Sequence, residues 1–178
     1  MPHRYPQEAA LRDGRRVLLK PFRPEDVDAL HEFFMRLPEI DRRFAWEHVE
    51  DRGVIEEWAR NIDYSRTFPL LAWDDDRIVA DATLHFRRTG PLRLVGRIRW
   101  LIDPAYRRQG LGTTLVHQLS MIAKENDLRR LTCMLISKLE EHAIEVLKSS
   151  GFKPFVIPGY GTDPDGTPHD MTMLVLEL

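Results

Sequence analysis

The chain has 178 residues, 43% hydrophobic and 30% charged, a composition typical of a folded globular domain and not of a disordered or membrane-spanning protein. We therefore expect one domain over residues 1–178. The formal net charge of −2 provides no basic field for nucleic acid, and no apolar run is long enough to span a bilayer. The lone cysteine, Cys133, excludes an internal disulfide and favours a cytoplasmic location. The seven histidines lack metal-ligand spacing, so we expect no metal site.

The first half of the chain begins with helix-like and strand-like segments in alternation. Residues 27–37 carry apolar side chains at helical spacing, between Pro24, which favours a first helical turn, and Pro38, which stops a helix. Residues 78–86 alternate between apolar and polar side chains, which is the periodicity of a strand. The other elements predicted in this half are a strand at 17–22, a helix at 54–61 and a strand at 68–73.

The second half alternates more regularly. After a turn at residues 89–91 we predict a strand at 92–102 and a helix at 112–126. The remaining predicted elements are a strand at 131–136, a helix that starts near Leu139 and ends at Gly151, strands at 152–157 and 171–176, and a loop at 159–170. Trp46, Trp58, Trp73 and Trp100 are predicted to be core residues. This order of elements predicts an α/β or α+β fold around one mixed sheet.

The most informative segment is the turn between the predicted strand 92–102 and the helix that follows it. Its six residues are Arg107, Arg108, Gln109, Gly110, Leu111 and Gly112. Two glycines let the backbone approach a ligand where a Cβ would obstruct. The free N–H groups of the first helical turn, together with the helix dipole, favour an anion such as a pyrophosphate. Arg107, Arg108 and the Thr113 hydroxyl could add charge and a further hydrogen bond.

Three other kinds of turn have similar sequences. A P-loop needs a GxxxxGK[ST] string, which the chain lacks. A dinucleotide fingerprint needs a third glycine, but Leu115 stands at that position. The remaining alternative is a plain glycine turn with two solvated arginines.

The turn resembles the motif of the GNAT superfamily of N-acetyltransferases, [RQ]xxGx[GA] at the start of a helix that follows a strand. Arg107, Gly110 and Gly112 match it, and residues 103–106 resemble the family's D-P-x-Y lead-in. The helix before Gly151-Phe152 resembles a second family motif, and residues 19–26 resemble the usual family start. The three matches occur in the family's order.

A narrower resemblance points to the acetyltransferase domain of bacterial protein lysine acetyltransferases that modify acyl-CoA synthetases. It is carried by residues 13–17 before the first strand, by Arg43-Phe44, and by residues 61–64.

The family resemblance implies a bent, splayed mixed sheet of six or seven strands flanked by about four helices. It also implies acetyl-CoA as the acyl-donor substrate, with no metal. The pantetheine arm would bond to backbone near Leu101 and Ile102, and the pyrophosphate would lie on residues 107–113. The implied reaction is direct transfer to a primary amine in a ternary complex, preferably to a protein lysine, by a monomer or homodimer. A small-molecule amine as acceptor, or a non-catalytic acyl-CoA-binding module, are the alternatives.

The catalytic residues that the family often uses are missing from this chain. The strand position of the usual glutamate falls at Gly96 or Arg97, and the helix position of the usual tyrosine falls at Leu147. The position of a common asparagine falls at Glu140, which we include among the cofactor contacts. Ser137 is a further candidate for contact with the pantetheine, or alternatively a helix cap.

Substitute catalytic residues can be sought on neighbouring segments. His85 is one candidate for the base, because the ordinary pKa of histidine is about 6.5; the alternative is a partly exposed histidine with a structural role only. Asp81 could act through water, but a hairpin at residues 89–91 would place it opposite Arg99, and an inert cross-strand ion pair is the simpler interpretation. Tyr160, in the predicted loop, is the candidate acid.

Overall fold

The computed structural model describes residues 4–43, 45, 47–163 and 165–178. Phe44, part of the narrower resemblance, and Trp46, predicted to be in the core, lie outside the described residues. The chain forms two compact units. The first consists of Met1–Thr83 and Trp100–Leu111, and the second of Leu84–Arg99 and Gly112–Leu178.

Secondary structure in the first half begins one strand earlier than predicted. The strands are β1 (Gln7–Ala10), β2 (Arg16–Pro21), β3 (Thr67–Asp74) and β4 (Arg77–His85). The helices are α1 (Val27–Arg36), α2 (Glu39–Arg43) and α3 (Arg52–Arg60). β1 pairs antiparallel with β2, and β2 antiparallel with β3.

The core of the first unit forms between the sheet and α1. Val27, Leu30, Phe33 and Phe34 give α1 its apolar stripe, and all four are buried, as the helical spacing predicts. The helix begins after the 3₁₀ turn Pro24–Asp26, where the Asp26 carboxylate accepts a hydrogen bond from the Arg23 amide at 2.9 Å.

The second half contains the strands β5 (Val95–Ile102), β6 (Arg130–Ile136), β7 (Lys153–Thr162) and β8 (Pro168–Glu177). Its helices are α4 (Leu111–Glu125) and α5 (Glu141–Ser149). β5 and β6 run parallel, with register from Val95–Arg130 to Arg97–Thr132, whereas β6 pairs antiparallel with β8, and β8 with β7.

The expected fold class is confirmed, with slightly more elements than predicted. Over the described ranges, eight strands form one mixed, splayed sheet in the order β1-β2-β3-β4-β5-β6-β8-β7, and there are five α-helices. β1 and α2 are the elements that were not predicted. Both are short, and neither has a strong periodic pattern of apolar residues.

The predicted loop at 159–170 was wrong, because most of it is a β-hairpin. A register shift between Ile157 and Gly161 absorbs the residues that look like a break, and Gly159 adopts a φ of 61°. The Gly159 amide donates to the Asp170 carboxylate at 2.8 Å. β7 continues to Thr162 and β8 begins at Pro168, so composition alone overestimated the length of the loop.

Gly96 of β5 is required by packing rather than by backbone conformation. A Cβ at this position would lie 2.7 Å from Leu128 Cδ1, 2.8 Å from Leu84 Cδ1 and 2.9 Å from Leu131 Cδ2. Real Cβ atoms do not approach other atoms so closely, and a well-packed core resists added volume.

We expect Gly96→Ala to lower the free energy of unfolding by about 1–3 kcal/mol, since the three leucines must shift. Urea denaturation monitored by circular dichroism measures this loss. Arg97→Ala, at the next residue on the opposite face of the same strand, should cost less. A Gly96→Ala protein as stable as the wild type would contradict this packing.

Candidate active site

The segment that links β5 to α4 is held in a defined shape by its own side chains. After Ile102, the buried Asp103 accepts a hydrogen bond from the Ala105 amide at 3.0 Å and begins the 3₁₀ turn Pro104–Tyr106. Arg108 and Gly110 then adopt positive φ values of 59° and 86° before α4 begins at Leu111. The backbone of the predicted anion turn therefore combines two left-handed residues with a helix N-terminus.

Arg107 has protein partners of its own within the first unit. Its Nε donates to the Ile102 carbonyl at 2.9 Å, and Nη2 pairs with the Asp41 carboxylate of α2. We predicted that this side chain would supply charge to a ligand. Its charge is already offset by Asp41, so it fixes the turn against β5 and α2.

The hairpin between β1 and β2 supports the turn from another side. The Arg12 amide donates to the Gln109 carbonyl at 3.0 Å. Arg15 Nη2 donates to the Ala105 carbonyl at 2.7 Å, and its guanidinium lies 4.0 Å above the Tyr106 ring. These contacts could not be predicted, because no pattern in residues 12–15 indicates that they neighbour a turn 90 residues later.

The lead-in tyrosine has a structural role. Tyr106 is buried, and its hydroxyl bonds to the Asp74 carboxylate at the end of β3. Burial, together with Asp74, raises the pKa of Tyr106. The resemblance of residues 103–106 to the family lead-in therefore has a physical basis in side chains that anchor the turn.

Asp81 lies on β4 in the same unit. The Asp103 amide donates to the Val79 carbonyl at 2.9 Å, and this antiparallel bond, continued two residues along both strands, places Asp81 opposite Leu101. Burial raises the pKa of Asp81 to about 7, partly offset by a hydrogen bond from Thr83 Oγ1 at 3.2 Å. A carboxylate with such a pKa is suited to accept a proton at neutral pH.

The predicted partner of Asp81 was wrong by two residues of register. β5 starts at Val95 and not at 92, so the connection from β4 is longer than a tight hairpin at 89–91. Arg99 instead pairs with Glu140 at 2.7 Å, within the second unit. The inert ion pair that we favoured for Asp81 is therefore not the one that forms.

His85 lies in a less favourable setting for a base than we predicted. Burial, and then the positive charge of Arg97, lower the pKa of His85 to about 4. The imidazole is thus neutral at pH 7 but binds a proton weakly. Asp81, with a pKa near neutrality, is the better base candidate of the two.

Glu140 and Ser137 have partners inside the second unit. The Glu140 carboxylate accepts from the Ile136 amide at 2.8 Å in addition to its ion pair with Arg99. The Ser137 hydroxyl shares a 2.7 Å hydrogen bond with the buried Thr172 hydroxyl, and Glu140 rather than Ser137 stands at the N-cap of α5. Their predicted contacts with the cofactor remain predictions.

Two positions at which the family often has its catalytic residues, Gly96 and Leu147, are tightly packed in this structure. A glutamate at Gly96 would have to replace the leucine contacts around that residue. Leu147, at the position of the usual tyrosine, is 0% exposed. Tyr160, the alternative acid, is 66% exposed on β7. Cys133 is buried, and burial raises the pKa of its thiol to about 12, which excludes it as a nucleophile near neutral pH.

Two kinds of site are not found in the part of the chain that the structure describes. No group of three His, Cys, Asp or Glu side chains there is arranged to hold a metal ion. Every helix of that part is too short or too polar to serve as a membrane span.

The family model for acetyltransferases of the GNAT family matches residues 27–152. The chain belongs to the GNAT acetyltransferase family. It is accordingly an N-acetyltransferase that uses acetyl-CoA as its donor.

Solved structures show the same fold at low sequence identity. The GNAT domain of S. lividans PAT has a TM-score of 0.82 at 17% identity, with coverage of 100% of this chain and 99% of that chain. The protein yncA of Salmonella typhimurium, solved with its cofactor acetyl-CoA, has a TM-score of 0.76 at 18% identity, covering 91% and 94%. RimL, a ribosomal L7/L12 alpha-N-protein acetyltransferase in complex with coenzyme A, has a TM-score of 0.77 at 15% identity, covering 91% and 94%.

We expect Gly110→Asp to abolish acetyl-CoA binding, because it forces a side chain into a φ of 86° and adds negative charge where a pyrophosphate would approach. Isothermal titration calorimetry measures the affinity. Gly90→Asp is the matched control, since Gly90 has a φ of 74° with open space around it in the loop before β5. If the two variants bind acetyl-CoA with equal affinity, acetyl-CoA does not bind at this turn.

Proposed function

We propose that this acetyltransferase moves the acetyl group of acetyl-CoA directly to a primary amine, preferably a protein lysine, within a ternary complex, and that residues 1–178 act as one catalytic domain. The observation that carries the proposal is the shape of the segment from Ile102 to Leu111. It combines two residues with positive φ, Arg108 and Gly110, with the N-terminus of α4. In this assignment the pyrophosphate lies on residues 107–113, and the pantetheine bonds to backbone at Ile102. The backbone of Leu101, our other candidate, faces Asp81 of β4 in the register given above, so Leu101 is the weaker of the two.

The preference for a protein acceptor rests on similarity. RimL acts on a ribosomal protein, and a further similar structure, at 16% identity, is a ribosomal-protein-S5-alanine acetyltransferase from Vibrio fischeri. The weak resemblance to lysine acetyltransferases points to the side-chain amine of lysine rather than to an α-amine. A small-molecule amine is the second candidate acceptor.

The chemistry requires a neutral amine. A free lysine has a pKa of about 10.4, so its ammonium must lose a proton before nitrogen can attack the thioester carbonyl. In our proposal the Asp81 carboxylate receives that proton through water. The tetrahedral oxyanion is stabilised by a backbone N–H of β5 near Leu101, and its collapse expels the thiolate of coenzyme A, which then takes up a proton.

Peptide substrates test the choice of acceptor. Four versions of one peptide, with lysine or arginine at a single position and with a free or blocked N-terminus, separate lysine from α-amine acetylation. We expect thiol release and a mass gain of one acetyl group with the blocked lysine peptide. Transfer only to small amines, or only to free N-termini, would overturn the lysine assignment. Acetyl-CoA binding without thiol release on any amine would support a non-catalytic binding module.

Asp81→Asn tests the base. We expect kcat to fall by about 10²–10⁴-fold while the Kd for acetyl-CoA stays unchanged, because the amide keeps the shape but cannot accept the proton. In the wild type, kcat/KM should rise with pH through about 7, as the carboxyl group of Asp81 loses its proton. This limb of the profile should be absent from the Asn variant. A full loss in His85→Ala with full activity in Asp81→Asn would reverse the assignment.

Thr83→Val gives a second, graded test. The Thr83 hydroxyl bonds to Asp81 and lowers the pKa of its carboxyl, so its removal should move the rising limb of the pH–rate profile to higher pH. The measurement is the apparent pKa of kcat/KM in the two proteins. If the apparent pKa of this limb is unchanged or lower in Thr83→Val, the limb does not report the titration of Asp81.

A further inference from the structure

The loop between β1 and β2 brings a second arginine to the turn beside the arginines of the family motif. The Arg12 amide is fixed to the Gln109 carbonyl at 3.0 Å. The loop itself is closed by two backbone bonds, from Leu11 to the Arg15 carbonyl at 2.8 Å and from Gly14 to the Leu11 carbonyl at 3.1 Å. The backbone of Arg12 is therefore fixed next to the turn.

The Arg12 side chain extends over Gly110. A Cβ placed on Gly110 would lie 3.7 Å from Arg12 Nε and 3.8 Å from Arg12 Cγ. Arg12 is nonetheless exposed to solvent. Its charged group thus lies at the surface of the turn, on the side that the missing side chain of Gly110 leaves open.

The arginines near the turn differ in whether their charge is already paired. Arg15 pairs with Asp13 at 2.6 Å, and Arg107 pairs with Asp41. In contrast, neither Arg12 nor Arg108 has a carboxylate partner among the residues that the structure describes. Two exposed, unpaired guanidinium groups beside an anion-binding turn are available to a phosphate, whose geometry a guanidinium matches with two parallel hydrogen bonds.

We propose that Arg12, together with Arg108, binds the phosphate groups of acetyl-CoA, and that Arg107, although it occupies the arginine position of the family motif, instead holds the turn in place. This inference rests on the proposed cofactor site. It adds to that site a residue outside the family motif, delivered by the loop between β1 and β2. The phosphates concerned are the pyrophosphate and the 3′-phosphate of the nucleotide.

Arg12→Ala should raise the Kd for acetyl-CoA about five- to tenfold, the effect of losing one solvent-exposed, charge-assisted contact. The Kd for acetyl-pantetheine, which has no phosphate, should stay unchanged. Arg16→Ala is the matched control, because Arg16 is exposed on the adjoining strand and pairs with Glu8, and its affinity should equal that of the wild type. Arg107→Ala should lower the melting temperature, whereas Arg12→Ala should not.

Acetyl-dephospho-CoA, which lacks the 3′-phosphate, distinguishes the two phosphates. If Arg12→Ala weakens this ligand as much as acetyl-CoA, the contact is with the pyrophosphate; if the loss disappears, it is with the 3′-phosphate. Either result supports the inference. Equal affinity of Arg12→Ala and wild type for acetyl-CoA would overturn it while leaving the cofactor site intact. If the wild type itself does not bind acetyl-CoA, the proposed function fails.

Discussion

The shape of the turn between β5 and α4 depends on side-chain hydrogen bonds that tie it to the rest of the first unit. The Asp103 carboxylate caps the 3₁₀ turn. The Arg107 side chain donates to the Ile102 carbonyl and pairs with Asp41, and the Arg15 side chain donates to the Ala105 carbonyl. With these groups in place, Arg108 can be kept at a φ of 59°, a conformation that costs a residue with a Cβ about 1–2 kcal/mol. Backbone strain of this kind is typical of functional turns.

The cofactor site that we propose consists mainly of backbone N–H groups. Such a site requires a particular backbone shape rather than particular side chains. The charges that complement a phosphate can then come from different parts of the chain. Here the unpaired guanidinium groups belong to Arg12 and Arg108 rather than to the arginine that the motif specifies.

Burial has opposite effects on the pKa values of the two candidate bases, Asp81 and His85. Asp81 and His85 lie four residues apart on one strand. The pKa of Asp81 is raised toward neutral pH, whereas the pKa of His85 is lowered away from it. Desolvation disfavours the charged form of each group, so it raises the pKa of the acid and lowers that of the imidazole. Arg97 lowers the pKa of His85 further, whereas Thr83 only moderates the effect on Asp81.

The elements with periodic apolar residues and the glycine turn could be predicted from the sequence. The contacts that these elements make with distant parts of the chain could not. The stripe of α1 and the strand before Gly110 follow from local patterns. The partner of Arg99 could not be predicted, because Glu140 lies at the N-cap of α5, far along the chain, and no local pattern links the two residues. Gly159 and the residues around it looked like a loop because composition does not reveal a β-bulge. The contact between Arg12 and Gln109 joins segments far apart in the chain and leaves no local pattern.

The most direct test of the cofactor site is a titration of ¹⁵N-labelled protein with acetyl-CoA, followed by amide chemical shifts. We expect the largest changes at the amides of residues 108–113 and at Ile102, with a smaller change at the neighbouring Leu101, since residues 108–113 are assigned to the pyrophosphate and Ile102 to the pantetheine. Unchanged shifts in both segments, with saturable changes elsewhere in the chain, would contradict the placement of acetyl-CoA on this turn.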